Sequence, residues 1–449
     1  MAASIQQTPI EAALPDLEKS TYDKVFWRTV PLFFICYVVS YLDRVNIGFA
    51  KLQMLGDLNL SDNVYALAAS MLFWGYMLFE MPSNLILHRV GARRWISRIM
   101  ISWGCVSISM MYIEPLAALF HTTPATTFYV LRFLLGVCEA GFFPGVVFYL
   151  NQWFPSHKQN RVLAGFMFAL PLSLCIGGPL SGWILQNMHD AFGHRGWQWM
   201  LLIEGLPAVI LGIAVLARLT DSVDKAHWLS ADEKALIKRN LASENAHKAH
   251  HFGAALKSPV IWLLCAILLT MNTGFYGLSF WLPSIIQATG LKNIYHVGLL
   301  SALPYVVAGA FIVANAMHSN RTGERRLHAA IPAGCAGIGL ILSAACASHL
   351  GLSLLLISVA AAGILGVTPL FWIFSGRALT GAAAAAGLAM INSIGSLAGI
   401  TGAMITNVAK NVTGNVNSGT YVLGGCLLLC CLLILLLPRA IVSADAPRP

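Results

Sequence analysis

Asp43 and Arg44 stand side by side in one apolar stretch of the chain, and Arg132 and Glu139 stand seven residues apart in another. Their neighbours are almost all Leu, Phe, Val, Gly or Ala. A charge at membrane depth costs about 2.5–3.5 kcal/mol on insertion scales, so ionisable groups there are rare and mark polar pathways. Two carboxyls and two guanidiniums in near balance fit a site that handles an anion together with protons. Arginine suits a carboxylate because its planar fork offers two parallel hydrogen bonds. A carboxyl in a low-dielectric setting gains or loses its proton as its neighbours change. On a helix Arg132 and Glu139 lie about two turns apart on nearly one face. Asp43 and Arg44 point about 100° apart, and each is expected to face its own partner across a central cavity. Glu80 and Glu204, nearer the ends of their spans, read as capping or ion-pairing groups.

The elements that hold these residues must be membrane helices. The chain has 449 residues, 57% of them hydrophobic and only 10% charged, with a mean hydropathy of +0.70. Soluble domains carry about 25% charged residues, so the composition is that of an integral membrane protein. About twelve apolar stretches recur, each near the ~20 residues needed to cross a bilayer. The expected fold is all-α, with twelve transmembrane helices in two six-helix, pseudo-symmetric halves. The expected boundaries are an N-terminal tail over 1–25, a first bundle over 26–218, a polar linker over 219–258, a second bundle over 259–438 and a tail over 439–449. Within the linker, Ser230-Ala231-Asp232-Glu233 reads as a capping box opening an amphipathic helix with Leu236, Ile237 and Leu241 on one face.

Charge sets the expected orientation. With the termini cytoplasmic, Lys51, Arg195, Lys292 and Lys410 fall outside, Arg44 and Arg132 lie within the membrane, and 22 of the 28 Lys and Arg fall inside. The mixed-charge N-terminal tail is no secretory leader. The net charge of +9 is therefore a topology signal and does not point to nucleic acid. The ten Cys sit in apolar segments without CxxC spacing and read as packing residues. The linker histidines His247, His250 and His251 have no carboxylate or Cys geometry beside them, so neither a metal nor a cofactor is expected. No nucleophile–base pair or phosphate loop speaks for an enzyme.

An internal repeat marks the two halves. Arg89-Val-Gly91-Ala-Arg93-Arg94 follows the second span, and Arg321-Thr-Gly323-Glu-Arg325-Arg326 follows the eighth. Repeats related by an axis along the membrane normal occur in secondary transporters. Glycine permits the tight turn, and the arginines face the anionic leaflet or helix ends, so these loops are candidate gating elements.

Longer strings carry a resemblance. They are Ser40-Tyr-Leu-Asp43-Arg44-Val-Asn46, Phe79-Glu80-Met-Pro82-Ser83-Asn84, Leu131-Arg132 through Gly136-Val-Cys-Glu139 to Pro144-Gly145, and Tyr276-Gly-Leu-Ser-Phe-Trp281-Leu-Pro283. From about residue 24 to residue 438 the chain resembles the major facilitator superfamily. Within it the chain resembles the anion:cation symporter family, which includes permeases for tartrate, phthalate, hydroxyphenylacetate and galactonate. The resemblance implies that Asp43 and Glu139 are the protonatable carboxyls. It implies that Arg44 and Arg132 serve carboxylate recognition and charge balance. It implies substrate contacts from Tyr41 and Tyr76 in the first half and from Tyr276, Trp372, Ser375 and Asn392 in the second; Trp281 and Tyr305 are further pocket candidates. The first loop departs from the superfamily pattern at Asn84, His88 and Ala92, and the second at Asn320, so an Asp-based latch is not expected. Where the galactonate-type pattern has a substrate-binding Gln, the stretch from Phe166 to Leu174 is apolar or Ser, which favours a flatter or aromatic acid.

The function so implied is proton-coupled symport of a small organic anion by alternating access, by a monomer in a bacterial inner membrane, both termini cytoplasmic. One alternative is a proton antiporter exporting metabolites or drugs, for which Gly178-Pro179-x-x-Gly182 is a half-matching motif. Another is a symporter taking up tartrate or a sugar acid.

Overall fold

The computed structural model describes residues 9–155, 158, 162–163, 165–166, 168–242, 258–378, 384–415 and 417–442. The His247, His250 and His251 patch lies outside them. The regular elements among the described residues are all helical. In the first half these are α1 (Pro9–Val45), α2 (Ile47–Asp57), α3 (Asp62–Val90), α4 (Ala92–Ser109), α5 (Ile113–Leu119), α6 (Pro124–Glu139), α7 (Phe142–Asn151), α8 (Ala169–Asn187) and α9 (Gly196–Arg218). The linker holds α10 (Ala231–Ala242). The second half contains α11 (Pro259–Ala288), α12 (Ile294–Thr322), α13 (Arg326–Ala345), α14 (Leu350–Ala378), α15 (Ala384–Thr413), α16 (Asn417–Leu435) and the short α17 (Arg439–Val442). Among the described residues eleven stretches are long and apolar enough to cross a membrane. Helix α15, 30 residues long, packs against α3, α11 and α16 as a twelfth.

The first helix begins earlier than the apolar pattern places it. It is continuous from Pro9, so residues 9–25 are the opening turns of α1. Ion pairs hold this polar extension to its own half and to the linker: Lys158–Glu18 at 2.7 Å and Lys24–Glu233 at 2.5 Å. Glu233 also accepts from the Ser230 backbone at 2.8 Å, while the Ser230 hydroxyl accepts from the Glu233 backbone at 3.2 Å. These reciprocal bonds start α10, which buries Leu236 and Ile237.

Two local devices position the charged residues. Helices α3 and α6 touch backbone to backbone: a Cβ on Gly136 would lie 1.9 Å from the Leu72 carbonyl oxygen, and one on Gly75 2.2 Å from that of Phe133. Glycine at the contact allows this approach. The fourth span is broken between α6 and α7, where Gly141 adopts φ +87°, a left-handed conformation open to glycine. The Ala140 carbonyl beside the break accepts from the Ser83 hydroxyl at 2.6 Å, and Ser83 in turn accepts from the Trp95 indole at 2.9 Å. Irregular backbone in a membrane persists where protein groups satisfy it in this way. The break leaves Glu139 on the final turn of α6.

The halves meet mainly through α8 against α12 and α3 against α15, with α2 against α11. Gly178 lies against the Gly298 carbonyl. Polar links across this seam gather at the end remote from the termini. Lys410 pairs with Asp62, Asn407 donates to Asn63 at 2.8 Å, and the Tyr65 hydroxyl donates to the Phe280 carbonyl at 2.9 Å.

The repeated loops differ in detail. Gly91 takes φ +92°, and Arg93 donates from Nε to the Leu216 carbonyl at 2.7 Å, closing the last turn of α9. Gly323 takes φ +69°. There Glu324 caps α13, accepting from the backbone of Leu327 at 2.7 Å and of His328 at 3.2 Å. Arg89, Arg94, Arg321, Arg325 and Arg326 surround these turns.

Candidate functional site

Asp43 lies near the end of α1 and is 2% exposed. The Trp103 indole donates to its Oδ2 at 2.6 Å, and the Ser107 hydroxyl and the Asn46 amide, the latter at 3.2 Å, donate to its Oδ1. Three donors suit an ionised carboxyl. They come from α4 and from the α1–α2 junction. The expectation that Asp43 faces a partner across the cavity is therefore corrected: its partners belong to its own half, because successive residues on α1 face different neighbours.

Arg44 points elsewhere and does reach the other half. It forms an ion pair with Glu139, to which the Ser40 hydroxyl also donates at 3.0 Å. Its other terminal nitrogen donates to the Tyr276 hydroxyl of α11 at 3.4 Å. The guanidinium carbon sits 5.3 Å from the Tyr41 ring centroid and 5.5 Å from that of Tyr76. A cation over aromatic faces is stabilised by the ring quadrupole. More rings extend the cage. Tyr37 meets Tyr41 edge-on at 5.0 Å and stacks on Phe166 at 4.4 Å; Tyr276 meets Phe73 at 4.8 Å and stacks on Phe280 at 5.9 Å.

Arg132, read from the sequence as a substrate-binding residue, is fully buried. Its Nε donates to the Ala68 carbonyl at 3.4 Å, and among the described residues neither terminal nitrogen has a hydrogen-bond partner. It interacts electrostatically with Asp43, Tyr65 and Glu139. In this arrangement it balances charge from behind the site, since α3 and α6 close over it.

The structure thus brings together Asp43, Arg44, Glu139, Tyr41, Tyr76 and Tyr276, with Arg132 beneath. Among the described residues no hydrogen bond or ring contact joins Trp372, Ser375 or Asn392 to this cluster. Ser375 is buried with its hydroxyl unpartnered, and Asn392 is half-buried. Trp281 belongs to the far end of the molecule: Lys51 lies 3.6 Å over its ring and pairs with Asp62 at 2.8 Å. Tyr305 bonds Ser279 at 3.2 Å. Sequence reasoning missed Trp103 and Ser107 as the hydrogen-bond partners of Asp43. Their signal was available, since an indole and a hydroxyl four apart share one face of a helix.

Among the described residues Glu204 has no ion-pair partner, and its place within α9 is not that of a cap. It is buried within α9, accepts from Ser181 at 2.7 Å, and its Oε2 has no partner. Its span runs from Gly196, which leaves it inside the helix.

Eleven membrane-length apolar stretches among the described residues, with α15 packed beside them, form two bundles that enclose a charged pair at their seam, as in a multi-pass membrane transporter. The chain belongs to the Major Facilitator Superfamily, whose family model matches residues 33–403. It is 39% identical over 439 residues to NicT of Pseudomonas putida, named as a metabolite transport protein, covering 97% of this chain and 98% of that one. It is 42% identical to a protein of Agrobacterium vitis that carries the name of a tartrate transporter, covering 96% and 94%. It is 37% identical to a protein of Acinetobacter baumannii named as a quinolone resistance transporter, covering 91% and 92%. The fold matches the xylose transporter XylE from E. coli in a partially occluded inward-open conformation, with a TM-score of 0.71 at 14% identity over 92% of this chain and 99% of that one.

Proposed function

We propose that this transporter imports a small organic anion together with protons, in a bacterial inner membrane with both termini cytoplasmic. The observation that carries the reading is the Arg44–Glu139 ion pair, set at the seam of the halves and framed by Tyr41, Tyr76 and Tyr276. Arg44 offers the fork that a carboxylate needs. An incoming carboxylate competes with Glu139 for that fork, and Glu139, deprived of its cation in an apolar surrounding, takes up a proton, because an uncompensated buried charge is costly. Asp43 is the second carrier, tied to the same helix turn as Arg44. The seam closed at the end remote from the termini supports an inward-facing arrangement. Rocking the halves about the site then alternates access.

The aromatic cage, with Phe166 in the stretch where the galactonate-type pattern has Gln, favours a planar or aromatic acid such as phthalate or hydroxyphenylacetate. The relative named for tartrate supports a small hydroxy acid as the next choice. A second reading is export by proton antiport, favoured by the quinolone-resistance relative. Purified protein in proteoliposomes, given an inward proton gradient and radiolabelled phthalate, hydroxyphenylacetate, tartrate or galactonate, separates these. Gradient-dependent accumulation of one acid is expected. No accumulation of any acid, with proton-driven efflux under the reversed gradient, supports the antiporter.

A further inference from the structure

Glu204 has no part in the mechanism above, yet its setting demands one. Its side chain is 3% exposed. One carboxyl oxygen accepts from Ser181 of α8 at 2.7 Å, and the other has no partner. The groups that act on it are Ser181, Asn46 and Asp43; among the described residues no cation is within reach. Helix α9 packs on α1, α2, α4 and α8, and of the residues those helices turn toward Glu204, Asp43 is the charged one. A carboxylate held by one hydroxyl and a neutral amide, facing another carboxylate and lacking a cation, is costly to keep ionised in this surrounding. A proton removes the charge and turns the unpartnered oxygen into a donor. Asn46 stands between the two acids. Its amide donates to Asp43 at 3.2 Å and acts as a donor toward Glu204 as well, and its carbonyl Oδ1 is buried without a donor. Two acceptors on neighbouring side chains, Asn46 Oδ1 and Glu204 Oε2, thus both lack a proton to share. The packing of α9 on α4 keeps the acids close: a Cβ on Gly205 would sit 3.3 Å from Ser107, whose hydroxyl donates to Asp43.

We infer that Glu204 is a third proton-carrying carboxyl, which holds a proton in this arrangement and exchanges it with Asp43, the Asn46 side chain standing between the two acids. The exchange balances with one proton: Glu204 loses it and Asp43 gains it. The Asn46 amide keeps both of its own protons and turns its N–H groups from the carboxyl that has become neutral toward the one that has become charged. Asp43 ends neutral and Glu204 ionised. Its part in transport rests on the proton-coupled reading above, whereas its protonation does not.

The first test needs no substrate. Infrared difference spectra of the full chain in lipid vesicles, stepped through pH, are expected to contain a protonated-acid carbonyl band that varies with pH. Glu204→Gln removes the band, Glu139→Gln leaves it, and Asp43→Asn changes its pH dependence. A second variant, Ser181→Ala, shifts the band by removing its hydrogen bond, which keeps the assignment testable if Glu204→Gln does not fold. A band that survives Glu204→Gln overturns the inference. So does one that Glu204→Gln removes but pH never changes, which marks a fixed structural acid. The second test counts protons moved per tartrate from the reversal potential of uptake. Glu204→Gln is expected to keep tartrate exchange and to carry one proton fewer; an unchanged count overturns the carrier role. Wild-type protein that moves no tartrate or other acid with protons counts against the proposed function, while the infrared band still decides the state of Glu204.

Discussion

The two bundles are built alike and equipped differently. The first buries Asp43, Arg132, Glu139 and Glu204 and half-buries Arg44. The buried polar residues of the second, from Thr273 and Ser279 through Asn315 and Ser375 to Thr420, are all neutral among the described residues. Both bundles repeat the R-x-G-x-R-R loop and both span with six helices, so the asymmetry is confined to the membrane interior. Under the proposed function it amounts to a division of labour, with the ionic chemistry assigned to the first half and shape, the Tyr276 hydroxyl and the far-end partner Lys410 to the second. Two halves with charges on both faces would have to separate ion pairs at each turnover. Here the central Arg44–Glu139 pair lies within one half.

The largest effect is expected where that asymmetry is erased. Asp43→Asn or Glu139→Gln should abolish uphill uptake while leaving equilibrative counterflow of the same acid, because the variant side chains still accept hydrogen bonds but cannot carry protons; a retained accumulation ratio would locate the coupling elsewhere. Arg44→Lys comes next. It keeps the charge and loses the fork, and charge-assisted hydrogen bonds contribute about 1.5–3 kcal/mol, so KM for the acid should rise about tenfold to a hundredfold. In the second half the effects shrink. Tyr276→Phe deletes one hydrogen bond to Arg44, worth about 0.5–1.5 kcal/mol, and should raise KM about two- to tenfold. An effect as large as that of Arg44→Lys would break the division of labour. Lys410→Ala removes the ion pair with Asp62 across the far-end seam but leaves Lys51 in place. It should make engineered cysteines at that end more reactive to a membrane-impermeant thiol reagent, with substrate affinity little changed.

The smallest effect lies at the linker. Burial raises the Glu233 carboxyl, but the Lys24 ammonium, the Ser230 backbone and the Ser230 hydroxyl more than offset this and hold it below the usual glutamate value. A carboxyl held low when docked stabilises the docked state at pH above its free value, and that stability is lost as pH falls through the docked value. Hydrogen exchange in α10 should therefore be slow at neutral pH and rise in acid, and Glu233→Gln should make it fast at both. Equal protection in the variant would remove the ion pair from the account.

Much of this is legible in the sequence. Hydropathy alone marks the spans because a bilayer forces each one to be long and apolar, and the ionic residues stand out against that background. The capping box at Ser230 was equally plain, since its two partners are local in sequence. What pattern could not give was partnership between spans. Arg132 and Glu139 share a helix face, yet the break at Gly141 and the close approach of α3 on α6 bury one and hand the other to Arg44. Trp372, Ser375 and Asn392 carry suitable chemistry at suitable depth, but which wall of a bundle a residue faces depends on tertiary packing. The start of α1 at Pro9 was missed because ion pairs from Glu18 and Lys24, not apolar periodicity, hold those turns in place.

The central claim is that the Arg44–Glu139 pair couples the anion to the proton. The most direct measurement is substrate-induced proton uptake by purified protein in lightly buffered detergent solution, using the acid identified by proteoliposome screening and a pH-sensitive dye. Wild-type protein should take up protons when the acid binds, and Glu139→Gln should bind it with a smaller uptake. Binding by wild-type protein without any proton uptake, or the same uptake in Glu139→Gln, would contradict the account.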